Sequence, residues 1–448
     1  MWSITFPLCF LLLINLVIDV PLFAMVLCFY ILILFFSLFI PEFSFYYTFF
    51  YLDSISFFLV LLLLLISLLS IIASFYAILE FNHYLFINLI LAINIIIVLS
   101  LLARNWITFY IFFEASLIPL GLIIFYFGYT PERILALNYI IIYTIFSSLF
   151  FLISIIWIKI YQSDLSLGIY PCLFNPRPDN NLHNNILYFF CAFPFIVKTP
   201  IFLFHQWLPK AHTEAPVAGS IILAGILLKL GSFGLLRLNT VAYCLPPNLN
   251  IFIVPLSLWG AFTITLVAFR QLDIKRLIAY ASVSHISAIT AVLLSIQNYR
   301  LMSVLLILIG HGVVSSGLFA WANIIYELTN TRNIILLKGS IIITHSIYTP
   351  LFFLLAINAA VPPSLNFFSE IFIYSVLLNY SIFTIIPLIL ISFFTILYSL
   401  SIFIFIIQGQ HSSFLFSNLV NLTCRNLSLL YFHILVILFL TFSLFIIT

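Results

Sequence analysis

Charged residues are scarce in this chain. It holds 15 Lys and Arg and 12 Asp and Glu among 448 residues, so that 6% of the residues are charged, against about 25% in an average soluble domain. Residues 54–79 and 371–424 contain none of the four. Because about 20 apolar residues are enough to cross the hydrocarbon core of a bilayer, these stretches predict transmembrane helices. No polar stretch is long enough to build a soluble core.

The signatures of several kinds of ligand chemistry are also missing. The 6 cysteines form no CxxC pair, so the sequence predicts neither a zinc site nor an iron–sulfur cluster. No GxGxxG, GxxxxGK[ST] or GxSxG motif occurs, which argues against binding of NADH, ATP or a flavin by this chain. No Lys/Arg-rich patch suggests nucleic acid. The cluster of His205, Lys210, His212 and Glu214 is interpreted as a hydrated polar cap and not as a metal site.

Apolar length and breaks at Pro, Gly, Asn and charged residues predict an all-α polytopic membrane protein. Two of the predicted helices are broken, one by Pro200 and one by Pro362 and Pro363, since proline removes a backbone hydrogen bond from a helix interior. Ordinary proline kinks are the alternative interpretation of these breaks. The fourteen predicted spans are 4–18, 21–40, 53–78, 84–103, 105–128, 134–160, 185–208, 215–237, 250–270, 274–296, 301–326, 338–379, 382–407 and 427–447.

Five charged side chains lie within or at the edge of these apolar stretches: Glu114, Lys198, Lys229, Lys338 and Glu370. A charge at the centre of a bilayer costs about 2.5–3.5 kcal/mol on insertion scales, so such residues are functional candidates, with proton or ion pathways as the first interpretation. Lys338 is the exception. It falls at a predicted helix end, where its long stem can reach the interface, and it is interpreted as a topological residue.

Glu114 and Lys198 together have the properties of a proton switch. Burial favours the neutral form of each side chain, whereas their mutual attraction favours the charged forms, so separating them pushes the lysine to release its proton. Lys229 is placed to accept that proton, and Glu370 to end the line. The alternative is a structural ion pair that holds two helices together.

Histidines extend this candidate line. His285 and His311 lie within two later predicted spans, and histidine can relay protons near neutral pH. A lone histidine in a membrane helix can equally be a hydrogen-bonded structural group, and this alternative stays open for both residues.

The two broken spans carry a charge near the break and lie five helices apart, as expected for two inverted five-helix repeats. The predicted organisation is therefore three N-terminal helices, a first repeat of helices 4–8, a second repeat of helices 9–13 and a C-terminal helix. The corresponding ranges are 1–83, 84–237, 250–407 and 427–447.

Longer motifs then connect these residues to a known family. The segments KTPIFLFHQWLPKAHTEAPVAGS at 198–220 and LLKLG at 227–231 resemble the antiporter-like subunits of respiratory complex I, the NADH:ubiquinone oxidoreductase, and among them the subunit 4 family. The motifs FEASLIP at 113–119, DIKRLIAYASVSH at 273–285, GHG at 310–312 and PPSLNFFSE at 362–370 agree with it. The resemblance covers roughly residues 100–375.

The resemblance implies two inverted repeats with flanking helices and a proton pathway at mid-membrane. Carried over to this sequence, the pathway comprises Glu114, Lys198, Lys229, His285, His311 and Glu370. The family further implies that NADH, FMN, iron–sulfur clusters and ubiquinone are bound by other subunits. The implied partners are those subunits, especially the neighbouring antiporter-like ones, together with membrane lipids and protons.

The implied location is the mitochondrial inner membrane, and the Phe- and Ile-rich composition with no visible transit peptide favours a mitochondrially encoded chain. Two other functions stay open. One is a subunit of a multisubunit Na⁺/H⁺ or K⁺/H⁺ antiporter without a redox partner. The other is a membrane scaffold whose buried charges are purely structural.

Overall fold

The described part of the chain is almost entirely helical. The computed structural model describes residues 45–46, 50–74, 83–128, 130–161, 181–241, 247–295, 299–340, 345–409 and 424–447. Ten helical segments within these ranges are long and apolar enough to cross a membrane. The prediction of an all-α polytopic membrane protein with broken helices is confirmed. The twelve predicted spans from residue 53 onward all have helical counterparts, and the first two lie outside the described residues.

The described residues of the first half begin with two short antiparallel strands, β1 (Phe45–Tyr46) and β2 (Tyr51–Leu52). Its helices are α1 (Ser54–Ala73), α2 (His83–Leu102), α3 (Trp106–Ala115), α4 (Leu117–Phe127), α5 (Arg133–Tyr161), α6 (Asn181–Lys198), α7 (Trp207–Glu214), α8 (Val217–Ile222) and α9 (Leu228–Val241). A π-helical segment, Leu223–Leu227, joins α8 to α9.

The second half follows the same plan of long apolar helices. Its helices are α10 (Pro247–Phe269), α11 (Ile274–Leu294), α12 (Arg300–Thr329), α13 (His345–Asn358), α14 (Leu365–Tyr380), α15 (Ile385–Ile407) and α16 (Cys424–Ile447), and a short 3₁₀ turn, Ile382–Thr384, precedes α15.

The chain divides into two compact units. The first comprises residues 1–199 and 214–251, and the second comprises 200–213 and 252–448. The segment that follows Lys198 therefore packs within the second unit, where Phe202 lies directly against Gly260 and the Thr213 carbonyl accepts a 3.0 Å hydrogen bond from Arg332. The bounds predicted for the two repeats stay a prediction.

A partly buried ion pair fixes the start of α1 in the first unit. The Asp53 side chain accepts a hydrogen bond from the Ser56 N–H at 3.0 Å, and the Ser56 hydroxyl accepts one from the Asp53 N–H at 3.0 Å, which forms a capping box. The same carboxylate pairs with the Arg237 guanidinium of α9 at 2.6 Å. The pair therefore ties the first residues of α1 to the last turns of α9.

Candidate functional site

Lys198 is the last residue of α6, and a non-helical segment follows it. Pro200 has no N–H to continue the helix, and Leu203 adopts a left-handed backbone with a φ of 66°. The chain becomes helical again at Trp207. A helix C-terminus carries partial negative charge from its terminal carbonyls, so the end of α6 is a favourable place for an ammonium group.

Lys198 is buried, with 4% of the residue exposed. Three groups surround its ammonium. Its Nζ donates a 2.9 Å hydrogen bond to the Phe113 carbonyl oxygen, and it lies 3.1 Å from the centroid of the Phe113 ring. The nearest Glu114 oxygen, Oε1, is 3.9 Å away. The predicted pairing of Glu114 with Lys198 is therefore present as a buried contact, although the closest partner of the ammonium is Phe113.

Glu114 sits next to an interruption of its own helix. The predicted span 105–128 consists of α3 and α4, which are separated at Ser116. Proline has no N–H to donate to the carbonyl four residues before it, and its ring clashes with that carbonyl. Pro119 therefore interrupts the helix at the Ala115 carbonyl. The Glu114 Oε1 atom is buried, and no described residue donates a hydrogen bond to it.

Lys229 lies in the most buried helix of the first unit. Every residue from 217 to 239 is buried, and Lys229 itself is 2% exposed. Its ammonium donates to the Ala224 carbonyl, which belongs to the π-helical segment. Such wide turns are often found at functional sites. Glycine allows close packing on both sides of Lys229, because a Cβ at Gly225 would collide with Ile66 and one at Gly231 would lie 2.9 Å from Thr199 Cγ2.

His285 and His311 come together in the second unit. His285 is on α11 and His311 on α12, and their ring centroids are 5.1 Å apart. Both rings are buried, with exposures of 5% and 2%. The Asp273 side chain caps α11 by accepting the Lys275 N–H at 2.9 Å, which fixes where the helix that carries His285 begins. The structure thus joins two residues that the sequence placed on separate spans.

Glu370 follows the second break. The helix α13 ends at Asn358, the segment 359–364 is non-helical, and Ser364 caps α14 by accepting the Phe367 N–H at 3.2 Å. Asn366 spans the break, because its Nδ2 donates to the Ile357 carbonyl at 3.2 Å. Glu370 lies one helical turn after Asn366, on the same face of α14.

Two tyrosines lie in the helices around Glu370. Tyr374 is one helical turn after it on the same face of α14, and Tyr398 is on α15. The Tyr398 hydroxyl accepts a 3.1 Å hydrogen bond from Asn358 Nδ2, and the Tyr374 hydroxyl donates at 3.1 Å to Ser392 Oγ. A carboxyl group one turn from a hydroxyl can exchange a proton through that hydroxyl or through water.

The remaining polar candidates have structural surroundings. Lys338 lies in a turn before α13, with its ammonium 5.4 Å from the Phe405 ring centroid. The buried His212 ring stacks on Phe319 at a centroid distance of 4.4 Å. The Glu214 carboxylate accepts a hydrogen bond from the Thr130 hydroxyl. His212 and Glu214 are therefore buried, which differs from the hydrated polar cap predicted from the sequence, whereas Lys210 is exposed.

Comparison with known proteins identifies the family. Residues 103–397 match the family described as "NADH:quinone oxidoreductase/Mrp antiporter, TM". NADH-ubiquinone oxidoreductase chain 4 of Locusta migratoria is 42% identical over 314 residues, which cover 70% of this chain and 69% of that protein. The chain belongs to the NADH-ubiquinone oxidoreductase chain 4 family. The chain 4 protein of Myxine glutinosa is 40% identical, and the match covers 70% of this chain and 68% of that protein. The chain 4 protein of Rhipicephalus sanguineus is 39% identical, and the match covers 75% of each.

Solved structures share the chain 4 fold. A chain of the structure described as respiratory complex I from Thermus thermophilus with bound NADH has a TM-score of 0.84 and 22% identity, and the match covers 98% of this chain and 94% of that one. A chain from the same source with bound aureothin has a TM-score of 0.80 and 16% identity, with coverage of 98% and 96%. At these identities the match establishes the fold, which is that of the antiporter-like subunits.

Three features of the site in this chain 4 family member were not predicted from the sequence. Phe113 stands in the sequence only as part of the motif FEASLIP, and nothing distinguishes it there from the other phenylalanines. Asn366 also stands within a motif, but an Asn that follows two prolines in an apolar span suggests a bridge across the break. The π-helical segment at Leu223–Leu227 has no comparable sequence signal.

Proposed function

We propose that this chain is the antiporter-like subunit 4 of the membrane arm of respiratory complex I and takes part in proton translocation coupled to NADH oxidation and ubiquinone reduction. It is a multi-pass protein of the mitochondrial inner membrane. The names of its relatives favour this function over that of an antiporter subunit without a redox partner. The observation that carries the proposal is the buried Lys198 ammonium at a helix break, 3.9 Å from Glu114.

In this proposal the first unit carries protons through Glu114, Lys198 and Lys229. Both lysines end in ammonium groups that contact backbone carbonyls, at Phe113 and Ala224. Carbonyl contacts lower the cost of a buried charge without adding a second permanent charge. Each lysine can therefore hold a proton and release it when the neighbouring charges change, which a fixed arginine charge would not allow.

The second unit continues the proposed pathway through His285, His311 and Glu370. Each imidazole can take a proton on one nitrogen and give one from the other. The neighbouring rings of His285 and His311 are suited to pass a proton between them, directly or through water. Glu370, one helical turn before Tyr374 on α14, is suited to exchange protons at the end of the line.

The chain is proposed to hold no redox cofactor of its own. NADH, FMN, iron–sulfur clusters and ubiquinone would be bound by other subunits, and the neighbouring antiporter-like subunits and membrane lipids would cover the exposed apolar faces. The long helix α5 offers such a face, since Ile134, Ile142, Phe146 and Ile160 are all exposed.

Replacing Lys198 tests this function. In Lys198→Ala we expect proton transfer through the chain to slow about a hundredfold or more, the low end of what a positioned proton carrier contributes. The measurement is the number of protons moved per NADH oxidised, in complex shown to be assembled by its comigration with NADH dehydrogenase activity on a native gel. Lys338→Ala is the matched control and should pump normally. Normal pumping by assembled Lys198→Ala complex would rule out the relay function.

A further inference from the structure

The Lys198 ammonium is held by Phe113 more closely than by Glu114. The only one of its three neighbours at hydrogen-bonding distance is the Phe113 carbonyl, at 2.9 Å. The ring of the same residue lies 3.1 Å away, and the Glu114 oxygen lies 3.9 Å away. The face of an aromatic ring carries negative electrostatic potential, and its attraction for a cation is strongest where water is excluded.

The Phe113 ring is fixed in place by other aromatic rings. It is fully buried, it stacks on Phe109 at a centroid distance of 5.5 Å, and it meets Phe195 edge to face at 5.5 Å. Phe195 in turn packs against Phe151 at 5.1 Å. The ring face that receives the ammonium is therefore oriented in advance, with no rearrangement needed to bind it.

The Phe113 carbonyl is set at the end of α3. It accepts a 2.7 Å hydrogen bond from the Ser116 hydroxyl as well as the bond from Lys198. A carbonyl oxygen has two lone pairs and can accept both. The backbone and the ring of one residue thus form a seat for the ammonium.

Glu114 is left able to change its protonation independently. Its Oε1 has no hydrogen-bond donor among the described residues. This oxygen can therefore accept a proton while Lys198 stays protonated. When Glu114 gains a proton, the carboxylate becomes a neutral acid. The Phe113 seat still holds the ammonium after that attraction is lost.

We propose that Phe113 is a positioning residue that holds protonated Lys198 beside Glu114 rather than directly on it, so that the two groups load and release protons separately. This inference rests on the proposed function and adds a part to it. Without the ring, the ammonium would move onto the carboxylate, and the resulting ion pair would favour the charged form of both groups and slow proton transfer.

The test compares aromatic and aliphatic side chains at position 113 in assembled complex. Phe113→Leu keeps an apolar side chain and the backbone carbonyl but removes the ring, and we expect proton transfer per NADH oxidised to fall about tenfold, as loss of a desolvated cation–π contact predicts. Phe113→Tyr keeps the ring and should restore pumping. Phe113→Met, with its adaptable side chain, replaces Phe113→Leu if the latter does not assemble.

Phe86→Leu is the matched control. It removes an equally buried ring of the first unit, which packs edge to face on Phe127 at a centroid distance of 4.8 Å rather than on Phe113. It should therefore pump normally once assembled. Equal pumping by the 113 and 86 aliphatic variants, or failure of Phe113→Tyr to restore it, would overturn the inference. If Lys198→Ala itself pumps normally, the proposed function fails; if only Phe113→Leu does, the relay stands and the Phe113 seat does not.

Discussion

At the scale of single residues, Gly231 decides how closely Lys229 and its helix approach the break after Lys198. A Cβ at this position would lie 2.9 Å from Thr199 Cγ2, 3.1 Å from Thr199 N and 3.2 Å from Lys198 Cβ. Thr199 cannot easily turn aside, because its hydroxyl donates a 2.7 Å hydrogen bond to the Phe195 carbonyl. Substitution at Gly231 therefore acts directly on the backbone that positions Lys198.

We expect Gly231→Ala to cost about 1–3 kcal/mol of stability, as overpacking of a tight core does, and to lower proton pumping by displacing Lys198. The measurement is the thermal stability of the assembled complex together with its protons moved per NADH. Gly121→Ala is the control, since a Cβ there meets Leu137 at an ordinary 3.5 Å. Equal effects of the two substitutions would contradict this account.

Charge in an apolar sequence was enough to select Glu114 and Lys198, because the cost of burying a charge makes such residues rare. The contact that dominates the geometry, between Lys198 and Phe113, could not be predicted in the same way. It depends on where α6 ends relative to α3, and that distance follows from packing of the Phe109, Phe113 and Phe195 rings. A phenylalanine in a chain with 52 of them carries no individual signal.

At the scale of helices, the breaks differ in how far the sequence predicts them. Proline explains the interruptions after Lys198, at Ser116 and before α14. The π-helical segment Leu223–Leu227 has no proline, and Ala224 and Gly225 are compatible with an ordinary α-helix. Its wide turn is accompanied by close packing of Gly225 against Ile66, which is a tertiary contact, and by the local contact of the Lys229 ammonium with the Ala224 carbonyl.

Asn366 holds the second break together, which leads to a prediction for this element. Asn366→Leu removes the donor to the Ile357 carbonyl and should cost about 1–3 kcal/mol, because a buried polar group loses its partner. Pumping should fall as well, since Glu370 is positioned by the first turns of α14. Both are measured in assembled complex, as thermal stability and as protons moved per NADH.

Asn323→Leu is the control for a buried amide on an unbroken helix. Asn323 donates to Glu327 at 2.6 Å within α12, so its loss should affect stability but leave pumping unchanged. Normal pumping by Asn366→Leu would show that Glu370 keeps its place without the bridge.

At the scale of the whole molecule, composition alone predicted the membrane fold correctly, because apolar length and the scarcity of charge constrain a polytopic protein strongly. The division into repeats is a weaker prediction. Residues 200–213 belong to the second compact unit, although the residues on both sides of them in the sequence belong to the first, and hydropathy does not mark such a segment. The polarity of the segment KTPIFLFHQWLPK indicates a special role but not which unit receives it.

Whether the two units serve one proton pathway can be tested by combining substitutions from each. Lys198→Ala and Glu370→Gln should each lower the protons moved per NADH. If the chain carries one continuous pathway, either block stops the whole flow, so the double variant should pump no less than the worse of the two single variants. Adding Lys338→Ala to Lys198→Ala is the control and should change nothing further. Losses that add in the double variant would instead mean that each unit moves protons on its own, because two independent pathways fail independently.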